Sequence, residues 1–224
     1  MAKVVAIMSM SLDGFVADPA DGVEEVFRWY GAGGMDVPTA KSDFVFHVSA
    51  PSAAHLRALQ EEIGAMLTGR RTCDAAHAWG GQHPFGVPTF VVTHHVPDGW
   101  PPDSSVRFVT DGVETAVAQA KAATGDKSVG VHGADTIQQC LNAGLVDELH
   151  IDLAAVLLGK GVRLFDRLVD PPVTLGDPSV VAGEAVTHLR YPVRTASYGG
   201  QPGVRGLVRC RHGVLTKAGE PRPV

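Results

Sequence analysis

Ser128-Val129-Gly130-Val131-His132-Gly133-Ala134-Asp135-Thr136 is the stretch that decides the fold. Ser128 to His132 reads as a strand, and Gly133-Ala134-Asp135-Thr136 opens a helix that closes at Gly144. The same strand-then-helix change recurs upstream. Val4 to Met10 is a short apolar run rich in β-branched residues, as in a buried strand, and Ser11-Leu12-Asp13-Gly14 breaks it. Pro51 and Ser52 suit the start of a helix to Ile63, with Leu56, Leu59 and Ile63 at helical spacing and Gly64 at its end. Ala65 to Thr68 is then a strand, and Gly69-Arg70-Arg71-Thr72 turns into another helix, to about His77. Val87–Thr93 and Val106–Val109 read as strands. A helix from Thr110 to Thr124 carries acids in its first turn and an apolar stripe of Val113, Ala116, Val117 and Ala120. Glu148 to Val156 is a long strand, and Val173–Ala182 with Ala185–Val193 form a closing hairpin around Gly183-Glu184. Residues 23–50 read less clearly: Gly31, Gly33 and Gly34 break any regular element, and Phe44–Val48 makes a short strand. The alternation predicts an α/β fold: a mainly parallel central sheet, helices on both faces and an antiparallel C-terminal edge hairpin.

Composition bounds the rest. The 224 residues suffice for one α/β domain or two small ones. No apolar run of about 18 residues predicts a transmembrane helix, and no small-residue cleavage site follows the first apolar stretch. Cys73, Cys140 and Cys210 are odd in number and far apart, which fits a reducing cytoplasm rather than a disulfide scaffold. The net charge of −5 averages two unlike segments. Residues 192–224 hold six Lys/Arg against one acid, Glu220, whereas the remaining 191 hold 13 basic and 23 acidic groups. Phosphate repels such an acidic body, so nucleic acid is not an expected partner. The expected division is a domain over 1–193 and a flexible, basic Gly/Pro-rich tail over 194–224.

Three strand-to-helix junctions could carry chemistry: Thr68-Gly69-Arg70-Arg71-Thr72, Thr93-His94-His95, and Val131-His132-Gly133-Ala134-Asp135-Thr136. Ligands of open α/β sheets bind beyond the carboxyl ends of the strands, where helix N-termini offer free N–H groups to phosphates. Arg70, Arg71, His94 and His95 add positive charge there. From spacing alone the same residues also read as ordinary tight turns and surface caps. Neither Gly31-Ala32-Gly33-Gly34 nor Gly130-Val131-His132-Gly133 completes a dinucleotide fingerprint, and Thr124–Ser128 does not complete a phosphate loop. Cys73 with His77, and His94 with His95, lack further ligands at a recognised spacing, so no metal is expected there. Trp79 before Gly80-Gly81 reads either as a wall of a substrate pocket or as a core residue.

The ordered set of motifs resembles the dihydrofolate-reductase-like superfamily, close to the reductase domain of the riboflavin-biosynthesis deaminase–reductase. Val5 to Ala17 resembles its opening strand and loop, and Leu67–Thr72 its Gly-Arg turn. Val129–Thr136 resembles its glycine turn. Ala143–Leu149 with Val156–Phe165 resembles a later paired signature, and Val186–Tyr191 the closing strand. The resemblance covers residues 3 to 193 in order. It implies an oxidoreductase that transfers hydride from NADPH to a small heterocyclic C=N or C=O substrate, akin to a pterin, pyrimidine or flavin precursor. By resemblance, Gly69, Arg70, Arg71 and Thr72 bind the cofactor phosphates. The resemblance also implies that Thr93 and His94 lie at the adenosine 2′-phosphate, that Val131, His132, Gly133, Ala134, Asp135 and Thr136 face nicotinamide and pyrophosphate, and that Ala17 and the Asp13 loop close over the nicotinamide. A cytoplasmic homodimer is the expected state.

Reduction of C=N or C=O also needs a proton. Asp13 and His132 are the candidate catalytic donors; the Asp-Gly pair alone favours a loop cap before Gly14 for Asp13, and His132 reads equally as a hydrogen-bonded sheet histidine. The chain departs from the family pattern in places. Ala134 stands where a second glycine is usual, Cys73 where an aromatic is usual, and Ser52-Ala53-Ala54-His55-Leu56 opens its helix with no carboxylate. These departures motivate the alternative of a non-catalytic NADP(H)-binding or regulatory module of the same fold.

Overall fold

A computed structural model describes residues 2–101, 104–169 and 171–194, and the backbone of two short paired strands, Leu207–Arg209 and Leu215–Lys217. The expected flexible tail otherwise lies outside the described residues.

The central strands are β1 (Val4–Ser11), β5 (Ile63–Gly69), β6 (Thr89–Val92), β7 (Val106–Val109), β8 (Ser128–Val131), β9 (Glu148–Ala154) and β13 (Val186–Arg194). Two further edge strands, β11 (Thr174–Leu175) and β12 (Ser179–Ala182), complete a sheet ordered β11-β13-β9-β1-β8-β5-β6-β7, with β12 also pairing β13. β9 through β7 run parallel, and β13 runs antiparallel to β9, β11 and β12. The sheet is therefore the expected one, parallel inside with an antiparallel C-terminal edge.

Strand alternation sorts the core into two layers. Val4, Ala6, Ala65, Leu67, Val129 and Val131 face α4 (Gly112–Ala123) and α5 (Ala134–Asn142), where Val113, Val117, Ala120 and Ile137 are buried. Val5, Ile7 and Met66 turn to the opposite face, against Leu59 of α2 (Ala50–Glu62) and Ile63. A short helix, α3 (Arg70–Ala75), follows β5 directly.

Differences from expectation have local causes. Residues 23–50 form α1 (Glu24–Phe27), a tight 3-10 turn at Arg28–Gly31, and a hairpin of β3 (Met35–Pro38) with β4 (Val45–Val48). Gly33 is required there, because a Cβ would sit 2.1 Å from the Val48 carbonyl carbon. α3 stops at Ala75, short of His77, because His77, Ala78, Trp79 and Gly80 all adopt left-handed φ of 47 to 65°. The expected strand over 173–182 is split into β11 and β12 at Gly176-Asp177-Pro178, where proline has no N–H for a ladder. Two short strands, β2 (Phe15–Ala17) and β10 (Val162–Arg163), pair and fasten the loop after β1 to the segment after β9. No helix among the described residues is long and apolar enough to cross a membrane.

Candidate functional site

A cavity of about 1260 Å³ opens beyond the carboxyl ends of the parallel strands. Its outer arm is lined by Gly69–Thr72 after β5, Thr93–His95 after β6, and His132–Thr136 after β8. All three junctions singled out from sequence thus meet at one cleft, with Ala17 on its rim. Of the expected cofactor residues only Val131 is set back, fully buried in the sheet below His132.

Two glycines fix how closely the junctions approach. Gly133 caps α5 at φ 88°, which L side chains avoid, and a Cβ there would lie 2.5 Å from Thr72 Oγ1. Gly69 caps α3, and its Cβ would lie 2.7 Å from Thr136 Oγ1. Each glycine therefore presses on a first-turn threonine of the other helix. Hydrogen bonds lock the pair: Thr68 Oγ1 donates to the His132 carbonyl (3.1 Å) and the His132 N–H to the Leu67 carbonyl (3.0 Å). Ala134 is buried at the first position of α5 and lines the cleft with its neighbours.

The arginines of the cleft are already partnered. Arg70 Nε donates to Asp74 (2.7 Å), Arg71 to Asp21 (2.5 Å), and Arg167 pairs with Asp135 (2.7 Å). All are solvent-exposed pairs, each worth no more than about 1 kcal/mol, so an anionic ligand can displace the carboxylates cheaply. Thr93 Oγ1 accepts from the His95 N–H (3.3 Å) and shapes the turn that presents His94. Cys73 is buried, and burial, with Asp74 beside it, raises its thiol pKa. That keeps it protonated and unreactive.

The two candidate proton donors differ. Asp13 holds a loop: its carboxylate accepts from Ser11 Oγ (2.6 Å), Gly159 N (2.6 Å) and Leu158 N (3.1 Å). The Ser11 hydroxyl first, then these backbone donors, lower its pKa to about 2. Such a carboxylate has no proton to give near neutrality, and it lies outside the cavity lining. The structure thus gives Asp13 a loop-holding place, away from the reacting volume. His132 is half-buried on the cavity wall, and burial lowers its pKa to about 4. It is therefore a neutral imidazole at neutral pH, and its Nε2 is buried without a hydrogen-bond partner. Trp79 lies edge-on to His132 at 5.4 Å and to His83 at 5.1 Å, so it is a wall of the cavity.

The inner arm was not legible in the motifs. It is lined by Tyr30, Phe44, Phe46, Leu56 and, at its floor, Asp152. Asp152 lies on β9 opposite His188 on β13, and His188 Nδ1 donates to Asp152 Oδ1 (2.7 Å). Burial works to raise the Asp152 pKa, but the hydrogen bond from His188 and the adjacent His55 ring outweigh it and hold the carboxyl below its ordinary value. The available signal was weak: polar His150 and Asp152 alternate inside an otherwise apolar strand. Arg167, on the outer arm, lay between motifs and carried no signal of its own.

Comparison with known proteins agrees with this geometry. Residues 2–180 match the family described as the RibD C-terminal domain. The uncharacterized protein YwjB of Bacillus subtilis is 23% identical over 168 residues, covering 75% of this chain and 85% of that protein. A solved protein from Shewanella sp. PV-4, named for riboflavin biosynthesis, is 27% identical with a TM-score of 0.61, covering 87% of this chain and all of that one. The deaminase/reductase of Thermotoga maritima shares the fold at 13% identity and a TM-score of 0.55, with 86% of this chain matched to 57% of that longer one. The chain belongs to the RibD C-terminal domain family.

Proposed function

We propose that this protein is an NADPH-dependent reductase that transfers hydride to the C=N or C=O carbon of a small heterocycle. One observation supports the reading above the others: the junctions at Gly69 and Gly133 pack side by side on the lining of a single cavity, beside Arg70, Arg71 and His94. Two helix N-termini side by side offer N–H groups to a pyrophosphate, and the arginines and His94 favour a cofactor with an additional phosphate. His132 and Ala17 would hold the nicotinamide end of the cofactor. Bound there, NADPH supplies the two electrons and the hydrogen that the protein's own side chains cannot.

The residues of the chain do the rest. Tyr30, Phe44 and Phe46, packed edge to face, give the inner arm an aromatic wall that suits a planar ring. Neutral His132 on the cavity wall can donate a hydrogen bond to the atom that gains electron density, and the proton that completes the reduction comes from water. The experiment is loss of nicotinamide absorbance on mixing NADPH and protein with pterins, flavin precursors and small carbonyls. Turnover of a heterocyclic acceptor is expected; saturable NADPH binding with no turnover across the panel would favour the non-catalytic module instead.

A further inference from the structure

We infer that His55, Asp152 and His188 form a binding site for one divalent transition-metal cation, with its open side on the inner arm of the cavity. The three side chains come from α2, β9 and β13, and a ligand atom of each lies within 4.8 Å of the others. All are well covered: the side chains of His188, Asp152 and His55 are 2%, 6% and 19% exposed. The imidazoles stack at 4.0 Å and 19°, and each brings a ring nitrogen to Asp152 Oδ1, Nδ1 of His188 at 2.7 Å and Nε2 of His55 at 3.2 Å.

The decisive detail is His55. Its Nε2 lies 3.2 Å from Asp152 Oδ1, yet it is buried and makes no hydrogen bond. The two atoms are close without being aimed at each other, as two ligands facing a common third point are. An unpaired buried ring nitrogen is costly, and a cation would relieve it together with the buried carboxylate. His188 is braced as metal-binding imidazoles are: its Nε2 lies 2.9 Å from Ser52 Oγ, itself 3.1 Å from Ser49 Oγ. Ligation through Nδ1 moves the His188 proton to Nε2, and the Ser52 hydroxyl accepts as readily as it donates. Two imidazoles and one carboxylate suit Zn²⁺, Co²⁺ or Fe²⁺, and three protein ligands leave a position free. Asp152 and Ser9 line the cavity beside the cluster, so that position faces a ligand in the inner arm.

The test is equilibrium dialysis of tag-free protein against Zn²⁺ with metal analysis, and titration with Co²⁺ followed by visible absorption. One equivalent of Zn²⁺ is expected, together with the absorption of a low-symmetry Co²⁺ site. Quenching of Trp29, whose ring lies 5.1 Å from His188, is expected to track it. H55Q, H188Q and D152N should each weaken binding at least about 100-fold, whereas H47Q, at an exposed histidine paired with Asp36, should not. H55Q sits on the least buried of the three ligands, so it is the variant on which folding, checked by circular dichroism, is safest. Absence of stoichiometric binding in wild type, or binding unchanged in a folded H55Q, would overturn the site. NADPH titration of the same samples is a separate readout: its failure bears on the reductase reading and leaves this one standing.

Discussion

Gly133 Cα packs against Thr72 so closely that a Cβ at position 133 would lie 2.5 Å from the threonine hydroxyl. Position 133 also holds φ at 88°. G133A therefore combines left-handed strain with overpacking, and should cost about 2–4 kcal/mol in unfolding free energy. Urea denaturation reads it. T72A in the G133A background removes the contact but not the strain, so it should restore part of the loss; no restoration would mean that the contact is unimportant.

Asp13 gives a pH signature. Its carboxyl is held at about 2 in the folded protein against 3.8 for a free side chain. A depressed carboxyl contributes stability that is full above the unfolded pKa and lost as pH falls through the folded one. Wild type should therefore lose more stability than D13N between pH 4 and 2, with the two curves parallel at higher pH. Thermal unfolding at stepped pH measures this, and identical curves would remove the loop-holding role.

His132 acts in a higher window. Burial puts its folded pKa at about 4 against 6.5 for the free side chain. Between these values the unfolded chain binds the proton and the folded one does not, so stability falls as pH drops from 6.5 toward 4. His83, lowered by burial and by His132, adds to the same trend. H132Q should flatten the slope but not abolish it, and NMR titration should find the wild-type His132 ring neutral at pH 6.

These expectations also show where the sequence was informative. The junctions at Gly69 and Gly133 were legible because strand, glycine and helix start are local signals, and each is complete within a few residues. The sheet followed from them, since only a parallel arrangement brings such junctions to one edge. The Asp152–His188 pair was not legible. It depends on the register of β9 against β13, which sets residues 36 apart side by side. No local pattern encodes that. His55 joins them only because α2 crosses that end of the sheet, which is again tertiary. Asp13 was ambiguous for the opposite reason: an Asp-Gly pair in a loop looks the same whether it caps the turn or serves a reaction.

The partnered arginines predict an affinity gain by subtraction. Arg71 is held by Asp21 at 2.5 Å, in a pair that is largely exposed. D21N should free the guanidinium and tighten NADPH binding about 2–5-fold, as expected when an ion pair worth under 1 kcal/mol no longer competes. R71M should weaken it by about 10-fold, the loss of one charge-assisted phosphate contact. Fluorescence titration at two salt concentrations checks both, and the D21N gain should shrink at the higher salt.

The central claim, that the cleft lined by the Gly69 and Gly133 junctions is an NADPH site, is tested most directly by isothermal titration of the wild-type protein with NADPH and with NADH. One equivalent of NADPH binding in the micromolar range, at least about 10-fold tighter than NADH because of the additional phosphate, is the predicted result. No saturable heat with either nucleotide, or equal affinity for both, would contradict it.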